Sequence, residues 1–550
     1  MGDNPTTKNN SIKTTEDPKT RKRNIQTILI ILALVTFFIF IIPNAKASED
    51  LGMVQVFEPD EAALFPTITN MALPKGDIVT FIKKFIVYER YNKGFPFYGP
   101  SALLVLFLRW IGQENNIPLT FLLLRQLISV LPMIGGLLLL VWIQDGFRTY
   151  RSILIFLLLL IIPASVQNGF WWHTDGLTLL LSVVVIWCLY KDKLKFGKFF
   201  FGAAIACGIL TATKMMGVFF FLTIATLLIW GIFEKKITLP KAIFLGLGFV
   251  GTMVAAFLIS NPFLFSEWGR AGYINVIRAQ MSSLSKGYGV VYAKGLSAAW
   301  MMMREYFGSA AFLLLSLMVC IYGLRSKHNR FLNTILLTWF IPLTLYVTFF
   351  SHFKYQYWLP VALPLISCWA QMLPEKIIGF KVKNLQAIGQ IVLVIVFLVQ
   401  FQYFTFQSAR LFSNRIHRAD NNSCIKFRDK AAKILNPVAD ITLRVYYDYR
   451  LYVPEPPNWE LSTEYIPISY SQINDNKFDI LLLANQRVLD YLNSEVEGVD
   501  PELFAESQRF YQDVKRGGVQ GFHLLELDEA GAIFIRQELC KNYYPTRNCD

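Results

Sequence analysis

The sequence predicts an α-helical polytopic membrane protein with about 11 transmembrane helices and a C-terminal extracytoplasmic α/β domain. Three observations lead there. Of 550 residues, 54% are hydrophobic and only 17% charged, against about 25% charged in soluble domains. Apolar runs such as Ile25–Ile42 and Phe121–Ile143 reach the ~20 residues that a bilayer crossing needs, and with no water to satisfy their amides they must be helices. The basic residues behind the net charge of +14 fall in short clusters between these runs, the pattern of cytoplasmic loops.

The same distribution argues against nucleic acid as a partner. There is no Walker loop, dinucleotide-binding glycine pattern or RNA-binding aromatic motif, and the seven cysteines show no zinc spacing.

Taken in order, residues 1–24 form a cytoplasmic tail ending in Lys19, Arg21, Lys22 and Arg23. The apolar run after it is longer than a signal-peptide core, so it reads as a retained anchor. Residues 25–406 form the membrane domain. A first span over about 25–43 leads to an outer loop over about 44–118, and a second returns to Arg148 and Arg151. The third emerges at Trp171-Trp172-His173-Thr174-Asp175, and the fourth returns to Lys191, Lys193, Lys195 and Lys198. A hairpin turning outside at Thr213-Lys214 comes back to Lys235, Lys236 and Lys241. The seventh opens a second outer segment over about 261–305, and the eighth ends at Arg325, Lys327 and Arg330. Two more flank an outer turn, Ser351–Trp358, and end at Lys376, Lys381 and Lys383. The eleventh leads into residues 407–550, an extracytoplasmic soluble α/β domain. There Phe478–Ala484 reads as a buried strand, Asn485–Leu492 as the start of a helix, and Phe522–Leu527 with Ala532–Arg536 as a hairpin. Cys424, Cys540 and Cys549 fall in this oxidising compartment, and Cys540 with Cys549 is the expected disulfide.

The chemistry-bearing candidates share the outer face. Glu58, Asp60 and Glu61 crowd three carboxylates into four residues, which shifts pKa values or recruits a cation and supplies a general base. Taken alone, the cluster reads as readily as a solvated helix N-cap. Ile78, Phe81, Ile82, Phe85 and Ile86 recur as one face of a helix lying in the membrane surface. Lys83, Lys84 and Arg90 would there hold a lipid phosphate or simply snorkel to headgroups. His173 and Asp175 sit at the membrane boundary, where ionisable groups mark functional sites. With Asp60 they would also suit a divalent cation, the one cofactor considered, although two loop ligands at this spacing point only weakly to a metal. Lys214, His352 and Lys354 complete a set of facing cations and carboxylates suited to a phosphate-bearing lipid and its acceptor.

Four stretches resemble the C-type glycosyltransferase superfamily, especially its protein O-mannosyltransferase and lipid A aminoarabinose transferase branch. Pro59-Asp60-Glu61 is similar to the acidic motif of the first outer loop, and Asp175 to the second-loop acidic residue. Gly208–Lys214 resembles the glycine-to-Thr-Lys hairpin, and His352–Pro364 the basic-aromatic turn leading into a Leu-Pro helix. Phe95–Pro100, which includes Tyr98, only approximates the usual Pro-Pro-Leu-Tyr segment, and residues 407–550 match no known pattern.

The resemblance implies transfer of a sugar from a polyprenyl-phosphate donor to an extracytoplasmic lipid, glycan or protein acceptor. Asp60 would be the base, with Glu61 and Asp175 as further catalytic candidates. Lys83, Lys84, Arg90, Lys214, His352 and Lys354 would meet the donor phosphate, while Glu58, Tyr98 and His173 would shape the acceptor side. The expected location is a bacterial inner membrane with the site facing outward. A transporter or a non-catalytic scaffold are the alternatives. A transporter would concentrate charge at the bilayer midplane in paired repeats, and the apolar runs here are nearly free of charge.

Overall fold

Asp17 opens the first long helix, Pro18–Asn44, by accepting a hydrogen bond from the Thr20 amide at 3.3 Å. The computed structural model describes residues 17–74, 76–88, 90–373, 385–493, 495–547 and 549. Lys376, Lys381 and Lys383, expected at an inner loop, lie outside the described residues, as does most of the 1–24 tail.

Five described helices are long and apolar enough to cross a bilayer: Pro18–Asn44, Ile117–Asp145, Leu239–Ile259, Arg330–Phe350 and Ile391–Ile416. A bent pair, Leu296–Phe307 and Ala310–Gly323, makes a sixth if counted as one span. Other segments expected as spans are shorter or broken. The third is split into Arg151–Leu160 and Pro163–Asn168, because Pro163 cannot continue an upstream helix. The hairpin is Lys198–Thr213 followed by Gly217–Phe233. The bent pair turns by 87° at Gly308, whose φ of +112° is open only to glycine.

Rings of exposed apolar residues, among them Ile30, Leu34 and Phe38 on the first helix and Phe244, Leu247 and Val250 on Leu239–Ile259, present the surface that hydrocarbon covers in a membrane protein. The opposite faces pack into one continuous core. A second cluster, built on Phe65, Tyr88, Phe97, Tyr98, Trp172 and Phe263, sits under the loop that follows the first long helix. That loop holds helices Leu51–Phe57 and Pro59–Met71, then the expected surface helix, Ile78–Ile86. The surface helix buries none of its residues and leaves Ile78, Val79 and Ile82 exposed, as a helix lying on lipid would.

The C-terminal region is built on a five-stranded mixed sheet. In spatial order its strands are Trp459–Ser462, Leu443–Tyr447, Ile480–Ala484, Gly531–Arg536 and Phe522–Leu527. Ile480–Ala484 is buried at every position, which is why it reads as an unbroken apolar run. It pairs parallel with Leu443–Tyr447 and antiparallel with Gly531–Arg536. Cys540 and Cys549 form a disulfide with Cα atoms 5.8 Å apart.

Candidate active site

Pro59 starts the helix Pro59–Met71, and one helical turn sorts the three crowded carboxylates. Asp60 is exposed and, among the described residues, makes no hydrogen bond or ion pair. Glu61 points the other way and is fully buried. Arg125 donates to it through Nε at 3.0 Å and Nη2 at 2.5 Å, and the Trp172 amide donates to it as well. Arg125 stands in a π-helical turn, Arg125–Val130, inside the second span, and its third hydrogen bond goes to the Asn44 carbonyl at 2.8 Å. Glu61 therefore joins three chain segments, which leaves it no free oxygen to face a substrate.

Glu58 turns toward the C-terminal region, where Arg415 and Arg418 both donate to Oε1, Arg418 at 2.7 Å. Burial pushes the Glu58 carboxyl up, but the charges of Arg415, Arg418 and Arg125 together hold it below the ordinary value. Its part is to tie the loop that follows the first long helix to the last long helix.

Asp175 begins the helix Asp175–Asp192. Its two oxygens are divided between His173 Nδ1 and Lys214 Nζ, the latter at 2.6 Å. Trp171 stacks on the His173 ring at 4.4 Å and 9°, and burial holds that imidazole below the ordinary histidine value despite the adjacent carboxylate. The Ser129 hydroxyl exchanges hydrogen bonds with the His173 backbone, accepting from N at 3.1 Å and donating to O at 3.2 Å. A Cβ on Gly176 would stand 2.3 Å from the Ser129 carbonyl oxygen, so this approach needs glycine. Lys214 closes the helix Lys198–Thr213, with Nζ 4.2 Å above the Tyr357 ring.

Lys93 joins this group and was not among the residues expected from sequence. Burial, reinforced by the charge of Lys214 and opposed by Asp175 and Asp60, brings its ammonium down to about 8. The next residue, Gly94, lies so close to the end of the Lys214 helix that a Cβ would overlap the Ala212 carbonyl. That contact fixes Lys93 beside Lys214. Lys354 is half-buried, its ammonium makes no hydrogen bond or ion pair among the described residues, and it adds a third positive charge felt by Lys93 and Lys214.

The remaining candidates are scattered. Lys83 and Lys84 are exposed on the surface helix and make no contact with the Asp175 group among the described residues. Arg90 donates to the Ala63 carbonyl at 2.7 Å, within the helix that carries Asp60. His352 stacks on Tyr292 at 4.1 Å. Tyr98 is buried, donates to Asn92 Oδ1 at 3.1 Å and packs on Tyr88, so it holds the Lys93 loop from beneath.

The donor set fits a divalent cation poorly, since Asp175 would have to release His173 or Lys214 to bind one. Among the described residues, the one group of His, Cys, Asp or Glu side chains with converging ligand atoms is His523, Cys540 and Cys549. Two of those three form the disulfide.

Beside Lys93 and Lys214 opens a cavity of about 250 Å³. Its walls are mainly apolar: Met215, Met216, Val218 and Phe219, Ile277 and Met281 from the helix Glu267–Lys286, and Leu343, Tyr346 and Val347. Cations at one end and apolar walls beyond suit a molecule with an anionic head and a hydrocarbon tail.

The chain has the fold of the C-type membrane glycosyltransferases. Among solved structures it is similar to ArnT from Cupriavidus metallidurans bound to undecaprenyl phosphate, at 11% identity and a TM-score of 0.51, covering 92% of this chain and 97% of that one. It is also similar to the Archaeoglobus fulgidus oligosaccharyltransferase tethered with an acceptor peptide, at 11% identity and a TM-score of 0.54, covering 89% of this chain and 72% of that one. No family model and no curated sequence matches the chain.

Proposed function

We propose that this protein is a membrane glycosyltransferase that moves a sugar from a polyprenyl-phosphate donor to an extracytoplasmic acceptor. The observation that carries this reading is the pair Lys93 and Lys214 lining an apolar cavity, with the charges of Lys354 and Asp60 reaching Lys93. The fold shared with an ArnT bound to undecaprenyl phosphate supports it.

In this reading the polyprenyl chain lies along Phe219, Met281 and Val347, and the phosphate meets the lysines. Positive charge beside the departing phosphate stabilises the transition state as the sugar–oxygen bond breaks. Asp60, whose carboxylate has no partner among the described residues, takes the proton of the attacking acceptor group. Asp175 orients Lys214 on one side and His173 on the other. Lys83, Lys84 and His352 fall outside this arrangement, and Glu58, Glu61 and Tyr98 support it without touching substrate.

The finer topology belongs to the same proposal. It has about 11 spans, a cytoplasmic N-terminus, and residues 407–550 with the site on the outer face of a bacterial inner membrane. The Cys540–Cys549 disulfide suits an oxidising compartment.

The test is release of free polyprenyl phosphate, followed by mass spectrometry, from purified protein in lipid given a panel of polyprenyl-phosphate sugars and a native membrane extract. Release from one donor, lost in Asp60→Asn, is the expected result. Absence of release and of binding for every donor would overturn the assignment.

A further inference from the structure

The outer segment 287–291 folds into a hairpin with Gly287 opposite Val291, and the C-terminal region completes it. Val291 N donates to the Glu497 carbonyl at 2.8 Å, and Val499 N donates to the Gly289 carbonyl at 3.0 Å. The turn glycine, Gly289, packs against Pro467 and Ile466. The hairpin of the membrane domain thus abuts the loop that follows Tyr465.

That loop is held with unusual firmness. Arg487 is 2% exposed and ion-paired with buried Asp448 at 3.3 Å. Its guanidinium donates to the carbonyls of Glu464, at 2.7 Å, and Ile466, the residues on either side of Tyr465. Tyr465 itself remains 46% exposed, tilted against Tyr449 at 4.9 Å, and its hydroxyl donates to the Pro59 carbonyl at 3.1 Å. Pro59 is the residue before Asp60. Tyr288 on the hairpin is 44% exposed, and the Asp60 charge reaches both phenols.

The buried Arg487–Asp448 pair thus holds an exposed aromatic ring next to Asp60, whose side chain has no partner among the described residues. We propose that Tyr465, Tyr449 and Tyr288 form the acceptor subsite and that the acceptor they receive is a carbohydrate. This rests on the glycosyltransferase reading of Asp60. The C–H face of a pyranose packs on the π face of a tyrosine, while phenol oxygens meet its hydroxyls. A ring stacked there presents a hydroxyl toward Asp60. An extended peptide would instead seek a free strand edge, and at this place the edge of the hairpin is already bonded to residues 497–499.

Saturation-transfer NMR on the full-length protein in detergent tests this without donor or turnover. The probes are trisaccharides of glucose, mannose, rhamnose and N-acetylglucosamine, with a Ser/Thr-rich peptide as the competing class. Transfer to the ring protons of at least one trisaccharide is expected. It should weaken about three- to tenfold in Tyr465→Ala and in Tyr288→Ala and persist in Tyr465→Phe. Tyr288 lies on a different element from Tyr465, so parallel losses exclude local misfolding of one loop. Transfer to the peptide alone, transfer to no probe, or saccharide signals unchanged in both alanine variants would overturn the proposal. Saccharide binding in a protein that releases no polyprenyl phosphate from any donor would instead overturn the transferase reading and leave the subsite standing.

Discussion

Glu61 and Arg125 form an ion pair from which solvent is wholly excluded, with no exposure on either side chain. The pair connects the helix that carries Asp60 to a π turn of a membrane span, and through Trp172 to the segment that carries His173. Removing one partner leaves the other charged and unpaired in a medium that cannot solvate it.

Glu61→Gln or Arg125→Leu should therefore cost about 3–5 kcal/mol and lower the thermal unfolding temperature in detergent. Glu61→Gln with Arg125→Leu together should lose much less than the sum of the two. Additive losses would mean that the two groups do not act as a pair.

Asp60 has no comparable structural task. Asp60→Asn should leave the unfolding temperature within a degree or two while lowering kcat about 10²–10⁴-fold, with donor affinity retained. Near-normal turnover would remove Asp60 from the role of base.

The position of Lys93 makes donor affinity depend on pH. A sugar phosphodiester keeps one negative charge across the neutral range, so the titrating group is the lysine. With its ammonium brought down to about 8, affinity should hold below that pH and fall as pH rises through it. Lys93→Arg should move the decline to higher pH, and Lys93→Met should weaken donor binding and flatten the profile. Isothermal titration with donor lipid between pH 6.5 and 9.5 checks this.

Glu58 behaves in the opposite sense. Its folded carboxyl is held below the ordinary value by Arg415 and Arg418, so its contribution is complete above the unfolded pKa and disappears as pH falls through the folded one. Glu58→Gln should lower the unfolding temperature clearly at pH 7. The gap from the unaltered protein should close once the pH drops well below 4.5. A gap that persists in acid would mean that the arginines do not stabilise an ionised Glu58.

The parts of this architecture that were legible in the sequence are those governed by local pattern. The apolar runs, the surface helix from Ile78, the buried strand of Phe478–Ala484 and the hairpin ending at Arg536 follow from periodicity and turn residues alone. The parallel pair Leu443–Tyr447 and Trp459–Ser462 was not legible, because its register depends on partners sixteen residues away. Of the residues in the proposed site, Asp60, Asp175 and Lys214 were within reach because each stands at or near the end of an element. Lys93 lies in a short loop, and only the close approach of Gly94 to Ala212 carries it into the site. Arg125 did leave a signal, a lone charge within an apolar span, that the general scarcity of charge there concealed. Glu61 was misleading for the converse reason. Its place beside Asp60 suggests a shared role, yet on a helix adjacent residues point about 100° apart, and here one faces solvent and the other the interior.

The latch between Glu58 and Arg415 joins residues 357 positions apart. At synthesis rates of about 5–20 residues per second, roughly 20–70 s pass between the emergence of the first and that of the second. Through that interval the helix bearing Asp60 already exists, while the arginines that anchor its leading end do not. The order of biogenesis thus makes the last stretch of membrane helix the event that finishes the work begun by the first loop, and a nascent chain halted before residue 415 holds Glu58 without its fastening.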